Sequence, residues 1–81
     1  MPTQSDIFTA IKNRILMMKD IEEEEITPES YFISLKFDSL DYVEIQVFVL
    51  ETYGIMLKAE LFSDHSISTL DELTNYVKSK L

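Results

Sequence analysis

The chain has no cysteine, one glycine, two prolines and only seven basic residues among 81. Without cysteine there is neither a disulfide nor thiol redox chemistry, and any thiol chemistry must use a thiol from elsewhere. Scarce glycine and proline leave few turn signals and favour helices. Seven Lys/Arg against fifteen Asp/Glu give a formal charge of −8. Phosphate backbones are bound by Lys/Arg patches, so nucleic acid is not an expected partner. Partners with basic surfaces are favoured, steered over a Debye length of about 8–10 Å. No apolar run approaches the roughly 20 residues of a membrane helix, so no membrane span is expected. The first residues, Met1-Pro2-Thr3-Gln4-Ser5-Asp6, lack the basic start and apolar core of a signal peptide. The expected compartment is the cytoplasm.

What is present reads as one folded unit. The chain is 46% hydrophobic and 27% charged, which suits a globular fold and argues against disorder. Its length leaves no room for a second core, so residues 1–81 are expected to form a single domain, and a monomer.

Ile7, Ile11 and Ile15 recur at helical spacing, with Phe8, Leu16 and Met18 beside them, and Ser5 or Asp6 is the candidate cap. Lys12, Arg14 and Lys19 make this the most basic segment. A long connection from Asp20 to Phe37 follows, anchored by Ile26, Phe32, Ile33 and Leu35 and containing Thr27-Pro28-Glu29. A connection of that length has a job or contains a helical turn. A second helix runs from about Ser39 to Tyr53, with Asp38 as N-cap, Asp41 in the first turn and Gly54 as its left-handed end. Lys58 to Phe62 fits a short helical turn. Thr69-Leu70-Asp71-Glu72 fits a capping box opening a last helix with the stripe Leu70, Leu73, Tyr76, Val77 and Leu81. Met17, Met18 and Met56 read as core filler. The fold class is all-α: a small bundle of three main helices, a short third one and a long first loop.

At about 100° per residue the second helix has two apolar arcs. One holds Tyr42, Ile45, Val49 and Tyr53, with Phe48 at its edge; the other holds Leu40, Val43, Val47 and Leu50, bordered by Asp41, Glu44 and Glu51. Either this helix is buried on most sides, or the second arc faces solvent as a docking strip. Periodicity alone leaves both open. Ser39 also has two readings. An isolated Asp-Ser-Leu is a plain helix start, whereas a phosphodiester on that hydroxyl would meet the free N–H groups and positive dipole of a helix N-terminus.

The run Leu35-Lys36-Phe37-Asp38-Ser39-Leu40-Asp41, followed by Val43-Glu44, resembles the modification site of acyl carrier proteins. The resemblance covers nearly the whole chain: Glu25-Ile26-Thr27-Pro28-Glu29-Ser30 and Phe32 look like the family's long first loop, and the acidic second helix, the short third and the fourth follow in order. It implies that Ser39 is esterified by 4′-phosphopantetheine taken from coenzyme A, installed by a separate phosphopantetheinyl transferase. The arm would then carry acyl groups as thioesters. Asp38 matches a position that presents the site to the transferase. Leu40, Asp41, Val43, Glu44, Val47 and Glu51 match positions that meet partner enzymes with basic docking patches, and Leu50 lies on the same strip. Ile45, Val49 and Tyr53 match core positions that can line an acyl cleft. The protein is then a carrier and not an enzyme, serving fatty acid, polyketide or related lipid biosynthesis.

Three features depart from the family pattern: Lys36 where glycine is usual, Leu50 where an acid is usual, and a segment Leu57 to Ile67 that is slightly long and contains His65. They imply a specialised carrier with few partners. The alternatives are a stand-alone peptidyl, aminoacyl or D-alanyl carrier, against which Asp41, Glu44 and Glu51 lean, and an unmodified acidic helical interaction module. Other signals are weak. Glu22 to Glu25 lack the spacing and glycine of a calcium loop, and His65 has no second His or Cys for a metal site. Ser39 has no Gly-x-Ser-x-Gly setting for hydrolysis.

Overall fold

The computed structural model describes residues 2–81 as four helices: α1 Gln4–Met18, α2 Ser39–Tyr53, α3 Glu60–Ser63 and α4 Leu70–Lys80. α1 packs against both α2 and α4. Ile7, Ile11 and Ile15 of α1 are fully buried against Ile45 and Val49 of α2 and Leu70, Leu73 and Val77 of α4. Each such side chain contributes about 1.5–3 kcal/mol by leaving water. Thr74 is buried in this core, and its hydroxyl donates to the Leu70 carbonyl at 2.8 Å.

All three long helices open with reciprocal capping boxes. The expected Asp38 cap and the Thr69/Glu72 box are present, and Asp41 completes the box of α2. The α1 cap is Thr3, and not Ser5 or Asp6. The Thr3 hydroxyl accepts from the Asp6 amide, while the Asp6 carboxylate accepts from the Thr3 amide. Gly54 ends α2 at φ 72°, as expected.

The long connection contains two 3₁₀ turns, Glu23–Glu25 and Ile33–Leu35. It is strapped across the start of α4. The carbonyls of Pro28 and Ser30 accept from the amides of Asp71 (2.8 Å) and Leu70 (3.1 Å), and Tyr31 pairs with Thr69 in a lone antiparallel bridge. Ile26, Phe32 and Leu35 anchor this segment in the core, but Ile33 is 77% exposed. The 3₁₀ geometry gives the reason. With three residues per turn, Phe32 and Leu35 share the inner side and Ile33 falls outside it. Met17 and Met56, expected as filler, are 78% and 70% exposed. Met17 lies two residues beyond Ile15, about 200° round the helix and so outward. Leu81 follows α4 and is exposed too.

Among the described residues, two other than glycine adopt the left-handed region, Lys36 at φ 61° and His65 at φ 66°. Lys36 closes the second 3₁₀ turn, at the position where the sequence resemblance calls for glycine. The left-handed conformation costs a non-glycine residue about 1–2 kcal/mol, and glycine's extra unfolded entropy offsets about 0.5–1 kcal/mol of any gain from replacement. Lys36→Gly is therefore expected to stabilise the protein by about 0.5–1 kcal/mol, read as a higher urea midpoint with an unchanged m-value.

Candidate functional site

Ser39 is the first residue of α2 and is exposed. It is not the cap. Asp38 holds that position, accepting from the Asp41 amide at 3.0 Å while its own amide donates to Asp41 Oδ2 at 3.1 Å. The plain capping role is thus filled by a neighbour, and the serine hydroxyl stands at the positive end of a 15-residue helix.

Beside it lies a groove of about 280 Å³ between α2 and α3, lined by Ser39, Tyr42, Val43, Gln46, Ala59, Phe62 and Ser63. The Gln46 side chain donates to the Leu57 carbonyl at 2.8 Å and fixes the segment leading to α3. The Tyr42 and Phe62 rings meet at a centroid distance of 4.9 Å and form the groove's inner wall. A larger open cleft of about 880 Å³ lies under the long connection, lined by Lys19, Glu22, Tyr31 and Lys36 among others. It does not include Ser39.

The two arcs of α2 part as periodicity allows. Ile45 and Val49 are fully buried, with Tyr42, Phe48 and Tyr53 packed around them. Leu40, Val43, Val47 and Leu50 are 78%, 51%, 44% and 43% exposed, so the second arc is a continuous apolar strip leading away from Ser39. That selects the exposed alternative over the helix buried on most sides. The bordering acids divide. Glu51 is exposed. Glu44 pairs with Arg14 at 3.7 Å. Asp41 is held by Lys19 at 2.7 Å, with both side chains only 18% exposed. Sequence reasoning placed Asp41 and Glu44 on the partner face but missed these cross-helix pairs, whose members lie 22 and 30 residues apart and follow no local pattern. The one available signal was the cluster of Lys and Arg on α1.

A family model for the phosphopantetheine attachment site matches residues 11–77. The chain is 36% identical over 76 residues to an acyl carrier protein of a Picosynechococcus species, covering 93% of this chain and 91% of that protein. It is also 34% identical over 77 residues to the meromycolate extension acyl carrier protein of Mycobacterium leprae, covering 94% of this chain and 65% of that protein. The chain belongs to the acyl carrier protein family. It is therefore a carrier and not an enzyme, its prosthetic group is a covalently bound 4′-phosphopantetheine, and its partners include a phosphopantetheinyl transferase and acyl-processing enzymes. Among the described residues, no helix is long and apolar enough to cross a membrane.

The residues present fit that group. An exposed hydroxyl is free of the capping role, the helix N-terminus favours a phosphodiester, and the adjoining groove offers mainly apolar walls for an arm. One carboxyl beside the site is held by its partners. The Lys19 bond, opposed by partial burial and assisted by the Asp38 amide, holds the Asp41 carboxyl below its ordinary value of 3.8. Asp6 is lowered by its Thr3 bonds, and Glu72 by the Ser68 and Thr69 amides. A carboxyl whose folded pKa is lowered contributes stability above its unfolded value and loses it as pH falls through the folded one. Stability should therefore change little from pH 7 to about pH 5 on account of these groups and fall below about pH 4. Urea midpoints from pH 7 to 2.5 measure this, and Asp41→Asn is expected to lower the neutral midpoint and to flatten the acid loss.

Proposed function

We propose that Ser39 carries the 4′-phosphopantetheine, and that the protein presents acyl intermediates on it to enzymes of a lipid biosynthetic pathway. The supporting observation is an exposed, non-capping hydroxyl at the start of α2 in a chain of this family. Installation joins Ser39 Oγ to phosphorus and breaks the diphosphate of coenzyme A; the adenosine 3′,5′-bisphosphate half leaves and the transferase takes up the hydroxyl proton. The group supplies the thiol that this cysteine-free chain lacks. Asp38 fixes the helix start on which Ser39 stands and is exposed beside it.

Partners are proposed to dock on Leu40, Val43, Val47 and Leu50, with the exposed Glu51 beside them, and with Asp41 and Glu44 acting through their paired forms. Docking would then rest more on apolar contact than on ion pairs, which contribute about 0–1 kcal/mol each when exposed. Leu50 in an acid's place supports a specialised carrier over a housekeeping one. The pathway then follows from which enzymes accept this strip.

Incubation with coenzyme A and a promiscuous phosphopantetheinyl transferase should add one pantetheine phosphate to the intact mass, and Ser39→Ala should abolish the gain. No gain, or a gain that survives Ser39→Ala, sinks the attachment assignment. A housekeeping fatty acid synthase is expected to use the loaded protein several-fold less efficiently than its own carrier, with Leu50→Glu recovering part of the loss. Equal use of both carriers rules out specialisation.

A further inference from the structure

We propose that Lys19 is a positioning residue for Ser39, a reading that rests on the attachment assignment above. Lys19 is the C-cap residue of α1, and its ammonium reaches two groups that flank Ser39 on opposite sides in sequence. It donates to the Lys36 carbonyl at 2.9 Å, three residues before the serine, and to Asp41 Oδ2 at 2.7 Å, two residues after it. The same Oδ2 accepts from the Asp38 amide, so one carboxylate oxygen joins the ammonium to the capping box. The Lys19 side chain is only 18% exposed, and its ammonium also stands 5.8 Å from the centre of the Phe37 ring.

The strain at Lys36 gives this bridge a task. Lys36 holds a left-handed conformation without glycine's freedom, immediately before Phe37, Asp38 and Ser39. An unsupported turn of that kind has a local incentive to relax, and its relaxation would carry Asp38 away from Asp41 and fray the first turn of α2. By bonding both sides, the ammonium opposes that movement. A partly buried, charge-assisted bond is stronger and shorter than a neutral one, which suits it to hold a strained junction. Lys12, by contrast, pairs at 3.2 Å with Glu23 in the first 3₁₀ turn, where the glutamate is 69% exposed and the lysine 22%. It provides the control: a basic residue of α1 whose ion pair is with Glu23 and not with the Ser39 segment.

The test uses the apo protein, coenzyme A and a promiscuous phosphopantetheinyl transferase, with kcat and KM for the carrier measured separately. Amide hydrogen exchange at residues 39–42 is followed in parallel without any enzyme. Lys19→Met is expected to lower kcat about tenfold, because displacing a reacting atom by a fraction of an ångström has effects of that order. KM should stay level or fall, since Asp41 is released to the surface. Exchange at residues 39–42 should speed up while exchange in α4 does not. Lys19→Arg should restore most of kcat, and Lys12→Met should leave kcat and local exchange as in the parent. Parent-like kcat in Lys19→Met, equal losses in Lys19→Met and Lys12→Met, or no recovery in Lys19→Arg would each overturn the proposal. Should Lys19→Met not fold, Asp41→Asn takes its place: a lowered kcat with faster exchange at residues 39–42 supports the bridge, and parent-like values refute it. A parent protein that gains no mass identifies failure of the Ser39 assignment itself, independently of Lys19; the exchange measurements still decide whether the bridge holds the turn.

Discussion

α2 is held from one side only, and most of the molecule's character follows from that constraint. Its fully buried residues are Ile45 and Val49, four apart on one face, set against α1 and the inner residues of α4. Among the described residues, the four helices, one of them a single turn, leave the opposite face without a covering helix. Leu40, Val43, Val47 and Leu50 therefore remain in solvent although they are as apolar as the buried arc. Folding alone gives no stability reason to keep such a strip in solvent, and exposed apolar strips of this kind mark contact surfaces. The helix is thus structural on one arc and available on the other. The attachment residue proposed here sits at the end where both arcs begin.

The parts of this arrangement that were legible in the sequence are those written in local chemistry. Asp38, Gly54 and the Thr69/Glu72 pair announce helix ends through side chains that bond within three residues, or through a conformation that only glycine adopts freely. The division of α2 into two arcs is likewise a property of spacing alone. What stayed hidden depends on placement. Nothing near Lys19 in sequence indicates Asp41, and nothing near Arg14 indicates Glu44, because the docking of α1 on α2 creates both pairs. Ile33 and Phe32 are neighbours of similar character, and only the 3₁₀ turn decides that the ring goes in and the aliphatic chain out. The α1 cap was missed by two residues or more because Ser5, Asp6 and Thr3 all have capping chemistry, and the reciprocal bond of Asp6 back to Thr3 is what selects among them.

Lys36 shows how a departure from a family pattern gains physical meaning once its backbone is known. The sequence alone marks a lysine in place of a glycine. The structure adds that the position is left-handed, which is why glycine suits it, and that the carbonyl of this residue is bound by Lys19. The two lysines are therefore coupled: one strains the junction and the other restrains it. Residues at such a junction are drawn together by the needs of a single geometry, the presentation of the first turn of α2.

The internal pairs also separate two roles that acidic charge plays in a carrier. The chain's formal charge of −8 is unaffected by where its acids point, and at long range it draws partners with basic surfaces. At contact distance the situation differs, because Asp41 is engaged by Lys19, Glu44 by Arg14, and Leu50 brings no charge at all. On the proposed docking strip, recognition then passes from charge to shape and apolar burial. Salt should weaken the approach of a partner more than it weakens the fit, since screening acts on exposed, separated charges and leaves apolar contact largely intact. A carrier that docked in the proposed way would still attract many surfaces but would be held only by those that offer a cavity for Leu50 and its neighbours. On the docking proposed, the composition of one helix arc, and not the overall acidity, would be the feature by which this protein selects among partners.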